Sequence, residues 1–212
     1  MQIDVISDTV CPWCFIGKRR LAKALAARPG VPFDVRWRAY RLDPSVPREG
    51  YDRKAYLEAK FGGGERLKAM GETIRQTGES EGIAFAFEAI ARTPNTLDSH
   101  RLVRWSGTAG VQDEVVERLF RAYFEQGHDI GDRAVLAGVA AEAGMDAELV
   151  ADLLAQEADV ALVEREDALA HQMGVSGVPT FIFANKYATS GAQEPETLLQ
   201  IIDKVLGEAA EA

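Results

Sequence analysis

The stretch that decides the fold is residues 3–17, IDVISDTVCPWCFIG. Its first part alternates apolar and polar residues and is rich in β-branched side chains, a pattern that predicts a strand. Pro12 then suits the first turn of a helix, where its missing N–H is of no consequence. The motif Cys11-Pro-Trp-Cys14 is therefore predicted to lie where a strand leads into a helix.

The segments that follow extend this start into a β/α domain with a helical insertion. A second alternating run over 33–38 predicts a strand that completes a βαβ unit. The C-terminal part predicts a helix over 158–173, an apolar strand over 177–183, a turn and strand over 186–191, and a last helix beginning at Pro195. We therefore expect an α/β domain formed by residues 1–50 and 158–212.

The middle of the chain, residues 51–157, is predicted to be the insertion. It is rich in Ala, Glu, Leu and Arg, and its apolar residues recur at helical spacing, which we interpret as core packing. Asp132 and Asp146 are predicted N-caps of two short helices. The other helices are predicted over 52–61, 65–79, 96–109 (with Thr96 as its cap) and 112–127.

The composition is that of an ordinary globular protein, with 47% hydrophobic and 27% charged residues. A formal net charge of −9 argues against a nucleic-acid partner, and the basic run 18–20 is interpreted as a solvated helix face. From its first residues we expect no targeting segment, and no run approaches the roughly 18 apolar residues of a membrane span. We therefore expect a cytoplasmic protein without a membrane partner.

The two cysteines, Cys11 and Cys14, are the only ones in the sequence. A helix N-terminus stabilises a thiolate through its unpaired N–H groups and its dipole, and the thiolate is the form that attacks disulfides. Cys11 should be exposed at that terminus, and Cys14 should be shielded on the face that packs on the sheet. We predict that Cys11 attacks and that Cys14 resolves the mixed disulfide.

Two other interpretations of the cysteine pair are less favoured. A zinc site needs four ligands, and the three histidines, at 100, 128 and 171, are scattered along the chain, so no metal is expected. A purely structural disulfide would close a very small loop in a reducing compartment.

The second signal is Val178-Pro179, a proline immediately before a predicted strand. Preceded by Gly-Val and followed by Thr, it resembles the loop that faces the dithiol in thioredoxin-like proteins. That resemblance implies that a cis bond would turn the backbone of Val178 toward a substrate. The alternative is an ordinary edge-strand proline. We predict that both residues bind substrate, together with Pro12 and Trp13.

These features together resemble the DsbA-like branch of the thioredoxin superfamily, and more narrowly its FrnE-type subgroup. The likeness extends over essentially the whole chain. It implies a thioredoxin fold interrupted by a helical insertion, and a cytoplasmic dithiol oxidoreductase. The residues that carry it are Cys11-Pro-Trp-Cys14 in 8–17, Arg92-Thr-Pro-Asn-Thr96, His100-Arg101, Asp129-Ile-Gly-Asp132, Gly177-Val-Pro-Thr180 and Lys186-Tyr-Ala-Thr-Ser-Gly-Ala192.

The chain departs from thioredoxin and DsbA in two respects. Those proteins have a buried acid six residues before the first cysteine, where this chain has Val5. Asp8 either replaces the acid as a proton acceptor or caps the helix. The Pro-Trp dipeptide also differs from both relatives, and we expect a reduction potential between theirs, about −270 to −120 mV.

The same subgroup is similar to 2-hydroxychromene-2-carboxylate isomerases and kappa-class glutathione transferases, which lack the resolving cysteine. Asn95 and His100 lie in a stretch that resembles their substrate pocket and are predicted pocket residues, although His100 also fits a helix residue satisfied by its neighbours. A glutathione-dependent isomerase or transferase is therefore the alternative function. A chaperone-like binding module is the third.

Our main prediction is disulfide exchange on protein, peptide or small-molecule thiols and disulfides. We expect no tightly bound cofactor. Glutathione, as a co-substrate, or a reductase is the candidate for recycling the dithiol.

Overall fold

The computed structural model describes residues 1–210, and its strands form two sheets. The main sheet has the order β2-β1-β5-β6, and the small second sheet pairs β3 with β4. β1 is parallel to β2 and antiparallel to β5, which is antiparallel to β6. The strands are β1 (Gln2–Ser7), β2 (Asp34–Ala39), β3 (Tyr51–Asp52), β4 (Arg92–Thr93), β5 (Thr180–Phe183) and β6 (Tyr187–Ser190).

The helices agree with the predicted ones to within a few residues. The 3-10 turn Phe87–Ala89 and the small β3–β4 sheet were not predicted from the sequence. The helices are α1 (Pro12–Ala26), α2 (Arg53–Phe61), α3 (Glu65–Ser80), α4 (Leu97–Thr108), α5 (Gln112–Phe124), α6 (Arg133–Glu142), α7 (Ala147–Ala155), α8 (Val160–Gln172) and α9 (Pro195–Ala210).

Strand β1 lies in the middle of the sheet and is covered on both faces. Ile3 and Val5 belong to the main hydrophobic core together with residues of α1 and α9. Ile6 points to the other face, where it packs with Tyr40 and with Ala170 of α8. Because successive side chains of a strand alternate between faces, Ser7 lies on the same side as Val5, toward α1.

The insertion shares its core with the β/α part of the chain. The ring of Phe15 on α1 stacks on Phe120 of α5, with centroids 5.1 Å apart, and on Phe124, with centroids 6.3 Å apart. One hydrophobic cluster therefore extends from the main sheet into the insertion. The division into domains 1–50 with 158–212, and 51–157, stays a prediction.

The helix N-caps can be compared with the ones predicted from the sequence. Asp132 accepts a hydrogen bond from Ala134 N, and Asp146 accepts from the N–H groups of residues 148 and 149, so both N-caps are confirmed. Thr96 precedes α4, but its side chain makes no cap bond. The Oδ1 of Asn95 accepts from Leu97 N at 2.9 Å instead.

The basic run on α1 is not a solvated face, as the sequence had suggested. Lys18 and Arg20 are each 8% exposed. Lys18 pairs with Asp113 at 2.7 Å, and Arg20 pairs with Glu81 at 2.8 Å. Their acidic partners are distant in sequence, so local charge patterning could not reveal them. Within residues 1–210, no helix is long and apolar enough to cross a membrane.

Candidate redox site

Both cysteines belong to the first turn of α1. Cys11 is the N-cap residue with an extended backbone (φ −93°, ψ 112°), and Pro12 occupies the first helical position. The Cys14 N–H donates to the Cys11 carbonyl at 3.0 Å. No side chain caps this helix, and its first turn contains no acidic residue. The positive end of the helix dipole therefore lies at Cys11 without a competing carboxylate in that turn.

The two thiols are reduced and buried, Cys11 with 4% and Cys14 with 0% exposure. The expectation that Cys11 is exposed was wrong. The Cys11 Sγ–H donates to the carbonyl oxygen of Val178 at 3.6 Å. The loop before β5 thus lies against the sulfur, a contact between residues far apart in sequence that helix geometry alone does not predict.

The peptide bond between Val178 and Pro179 is cis. Gly17 allows α1 to approach this loop. A Cβ atom at position 17 would lie 2.8 Å from Pro179 Cγ and 3.1 Å from Phe181 Cζ, closer than the 3.4 Å at which ordinary contact begins. Sequence reasoning gave Gly17 no role, although its place inside a helix, where glycine is unfavourable, was an available signal.

The two sulfurs interact with each other and with the end of β1. Burial raises the pKa of the Cys14 thiol well above its usual value, and the hydrogen bond and charge of Cys11 raise it further. The Ser7 hydroxyl and the Asp8 N–H face the same sulfur and lower the pKa of Cys14 in part. At neutral pH, Cys14 is therefore a protonated thiol. Sequence reasoning also missed Ser7, which the alternation of β1 places toward α1.

Asp8 does not cap α1, so that interpretation was wrong. Its carboxylate is 1% exposed. Oδ2 accepts from Leu42 N at 2.7 Å, and Oδ1 lies 3.3 Å from His100 Nε2. The carboxylate thus bonds away from α1, toward the segment after β2 and toward α4. Its role as a proton acceptor stays a prediction.

The remaining predicted site residues are placed as follows. Pro12 and Trp13 are half-buried at the start of α1. Asn95 borders a cavity of about 230 Å³ that Arg48 and Arg133 also line. His100 is 3% exposed, and its Nε2 lies 3.3 Å from Asp8 Oδ1 and 3.2 Å from the Tyr40 carbonyl. A part for Asn95 and His100 in a substrate pocket stays a prediction.

A metal site has no support in the geometry of the part of the chain that the structure describes. There, no group of three or more His, Cys, Asp or Glu side chains is arranged to hold an ion. The expectation that the protein needs no metal and no tightly bound cofactor stays a prediction.

The fold and the site together define a thioredoxin-type α/β protein with a Cys-x-x-Cys pair at a helix start, beside a cis-proline loop. The chain belongs to the DsbA-like thioredoxin domain family, whose model matches residues 2–203. A crystal structure of a probable DsbA oxidoreductase from Streptomyces coelicolor is 32% identical, with a TM-score of 0.89 over 98% of this chain and 91% of that one. The predicted DsbA-like resemblance and the interrupted thioredoxin fold are confirmed.

Two further solved structures share the fold. A 2-hydroxychromene-2-carboxylate isomerase is 18% identical, with a TM-score of 0.75 over 100% of this chain and 98% of that one. The cytosolic disulfide reductase DsbM from Pseudomonas aeruginosa, solved with GSH, is 19% identical, with a TM-score of 0.71 over 97% and 99% of the two chains. At these identities the likeness shows the fold alone. Membership of the FrnE-type subgroup stays a prediction.

Proposed function

We propose that this protein is a thiol–disulfide oxidoreductase and that Cys11 and Cys14 are its reacting groups. The observation that supports this most strongly is that three features occur together at the start of α1. Both sulfurs lie in the first turn of α1, the helix start carries no competing acid, and Cys11 Sγ lies 3.6 Å from the carbonyl of the cis-proline loop. An inert core thiol needs none of these features.

The first step is attack by the Cys11 thiolate on a substrate disulfide. A new sulfur–sulfur bond joins Cys11 to one substrate sulfur, and the other leaves as a thiolate. Because the positive end of the α1 dipole favours a negative charge at Cys11, it stabilises the attacking anion. We propose that the main chain of Val178 pairs with that of an extended substrate.

The second step is resolution by Cys14. Its raised pKa keeps Cys14 protonated at rest. Cys14 then attacks Cys11, the mixed disulfide breaks, and the Cys14 proton goes to the departing substrate thiolate. The products are a reduced substrate and the Cys11–Cys14 disulfide. The reverse sequence oxidises a dithiol.

The substrates we propose are protein or peptide disulfides, with glutathione as the reductant that restores the dithiol. We propose that the protein works in a reducing compartment, where a single close cysteine pair is more often catalytic than structural; the DsbM neighbour is a cytosolic reductase. That neighbour was solved with GSH. Trp13, half-buried beside the cysteines, offers a flat apolar contact to the substrate.

A glutathione-dependent isomerase is the second candidate. The observation that favours it is the likeness to the 2-hydroxychromene-2-carboxylate isomerase over the whole chain. Such an enzyme needs bound glutathione and a pocket, and no resolving thiol.

A comparison of the parent with Cys14→Ser separates the two candidates. We expect the parent to reduce insulin with glutathione as reductant and Cys14→Ser to lose nearly all of this turnover. 2-Hydroxychromene-2-carboxylate isomerisation should be absent from both proteins. Isomerisation that persists in Cys14→Ser, with no insulin reduction by the parent, would establish the second candidate instead.

A further inference from the structure

Two side-chain contacts join the segment before Cys11 to helix α4 of the insertion. Asp8 contacts His100, and Thr9 contacts Ser99. All four residues are buried, with exposures of 1%, 3%, 4% and 0% in that order. None of these four side chains hydrogen-bonds to a cysteine side chain, and none takes part in the two steps of disulfide exchange.

The contact of Thr9 has a defined direction. The hydroxyl oxygens of Thr9 and Ser99 are 2.8 Å apart. Ser99 donates its one hydroxyl hydrogen to the Thr96 carbonyl at 2.8 Å, and a carbonyl only accepts. Thr9 is therefore the donor to Ser99, and the chain of bonds ends on the backbone of the residue that precedes α4.

The contact of Asp8 is defined in the same way. His100 Nε2 lies 3.3 Å from Asp8 Oδ1 and 3.2 Å from the Tyr40 carbonyl. Both neighbours are acceptors, so Nε2 carries a hydrogen and shares it between them. The other oxygen of Asp8 accepts from Leu42 N at 2.7 Å. Asp8 is thus held from two sides.

These contacts reach Cys11 through the main chain. The Cys11 N–H donates to the Asp8 carbonyl at 3.1 Å, which closes a tight turn over residues 8–11. Side chains within this turn are fixed by α4, and Cys11 Sγ at its end lies against Val178. The position of the sulfur is therefore set by three separate parts of the chain: the start of α1, the cis-proline loop and α4.

We propose that Ser99 and His100 are positioning residues for disulfide exchange, acting through Thr9 and Asp8 to hold Cys11 in line with an incoming disulfide. This inference rests on the proposed function, because it assigns these residues to the reaction at Cys11. It makes a helix of the insertion part of the reactive site. A small displacement of the sulfur is enough to slow attack, since in-line displacement depends steeply on alignment.

The experiment measures the rate at which the reduced protein forms its intramolecular disulfide with oxidised glutathione, by acid quenching and mass spectrometry. The variants are Thr9→Val and His100→Leu, which remove the two contacts, and Thr9→Ser, which keeps the hydroxyl. The matched control is Ser106→Ala, which removes a fully buried hydroxyl that donates to Val103 O on the same helix, away from the turn. Urea unfolding of each protein measures its stability. Exchange rates are compared under conditions in which every variant is folded.

We expect exchange to slow about tenfold in Thr9→Val and His100→Leu. Thr9→Ser should stay within about twofold of the parent, and Ser106→Ala should lose stability without slower exchange. If Thr9→Val and His100→Leu react at the same rate as Ser106→Ala, while the parent forms its disulfide rapidly, the positioning role is refuted. The proposed function is not affected by that result. A parent that forms no disulfide would overturn the proposed function and this inference with it. If His100→Leu does not fold, Thr9→Val against Thr9→Ser still decides.

Discussion

The substitution Gly17→Ala tests how tightly α1 is packed against the cis-proline loop. The added methyl carbon would lie 2.8 Å from Pro179 Cγ, about 0.6 Å inside the 3.4 Å limit of ordinary contact. It would also lie 3.1 Å from Phe181 Cζ. Pro179 and Phe181 are buried, and a proline ring cannot rotate away, so α1 or the loop must shift.

Two effects oppose each other in this variant. Replacing glycine by alanine inside a helix favours folding by about 1 kcal/mol. Overpacking a rigid, buried contact costs about 1–3 kcal/mol. We therefore expect Gly17→Ala to lower the free energy of unfolding by about 1 kcal/mol. Gly138→Ala on α6 is the matched control, because nothing lies within 4 Å of its added carbon, and it should raise stability by up to about 1 kcal/mol.

The assay is urea unfolding followed by fluorescence, combined with disulfide exchange against oxidised glutathione. The shift that relieves the contact changes the separation of Cys11 and Val178, so Gly17→Ala should exchange more slowly than Gly138→Ala. A Gly17→Ala protein as stable as Gly138→Ala, with exchange at the parent's rate, would refute the close packing of α1 against this loop.

Three further predictions concern stability and its pH dependence. Arg101 is fully buried and donates to Asp98 and to backbone carbonyls at the end of α7. Arg101→Leu should therefore cost about 3–5 kcal/mol in urea unfolding, and a loss under about 1 kcal/mol would contradict this. For Glu81, burial raises the pKa, but hydrogen bonds from Lys23 and Arg20 outweigh it and hold the pKa below its usual value. Folding thus favours the ionised form. The parent should have a free energy of unfolding about 2 kcal/mol above that of Glu81→Gln at neutral pH, and this difference should shrink below about pH 4. An advantage independent of pH would be evidence against this pair. The raised pKa of Cys14 gives the opposite pH dependence, because folding favours the protonated thiol. In thermal unfolding, the reduced parent should lose stability above about pH 9 more steeply than Cys14→Ser. Parallel pH profiles of the two proteins would contradict this.

Much of the fold could be predicted from local sequence. The alternation over β1 and the proline at the first position of α1 act within a few residues, so the strand-to-helix junction was found together with its motif. Asp132 and Asp146 were found as caps for the same reason, since a cap bonds N–H groups two or three residues ahead. The proline before β5 was recognised through the family resemblance.

The features that were missed depend on contacts between distant segments. Cys11 is buried with its sulfur against Val178, and the bonds of Asp8 reach Leu42 and His100. The burial of Lys18 depends on Asp113 of α5. Periodicity and propensity carry no information on which segments meet, so side chains expected to be exposed or to act as caps took part in long-range contacts instead.

The assignment of Cys11 as the attacking thiol and Cys14 as the resolving thiol is tested most directly by trapping the mixed disulfide. Cys14→Ser and Cys11→Ser are each incubated with oxidised glutathione, and the modified residue is identified by peptide mapping. We expect Cys14→Ser to accumulate one glutathione on Cys11 that dithiothreitol removes, and Cys11→Ser to stay unmodified at its buried, protonated Cys14. Modification of Cys14 at a comparable rate, or no adduct on Cys11, would contradict it.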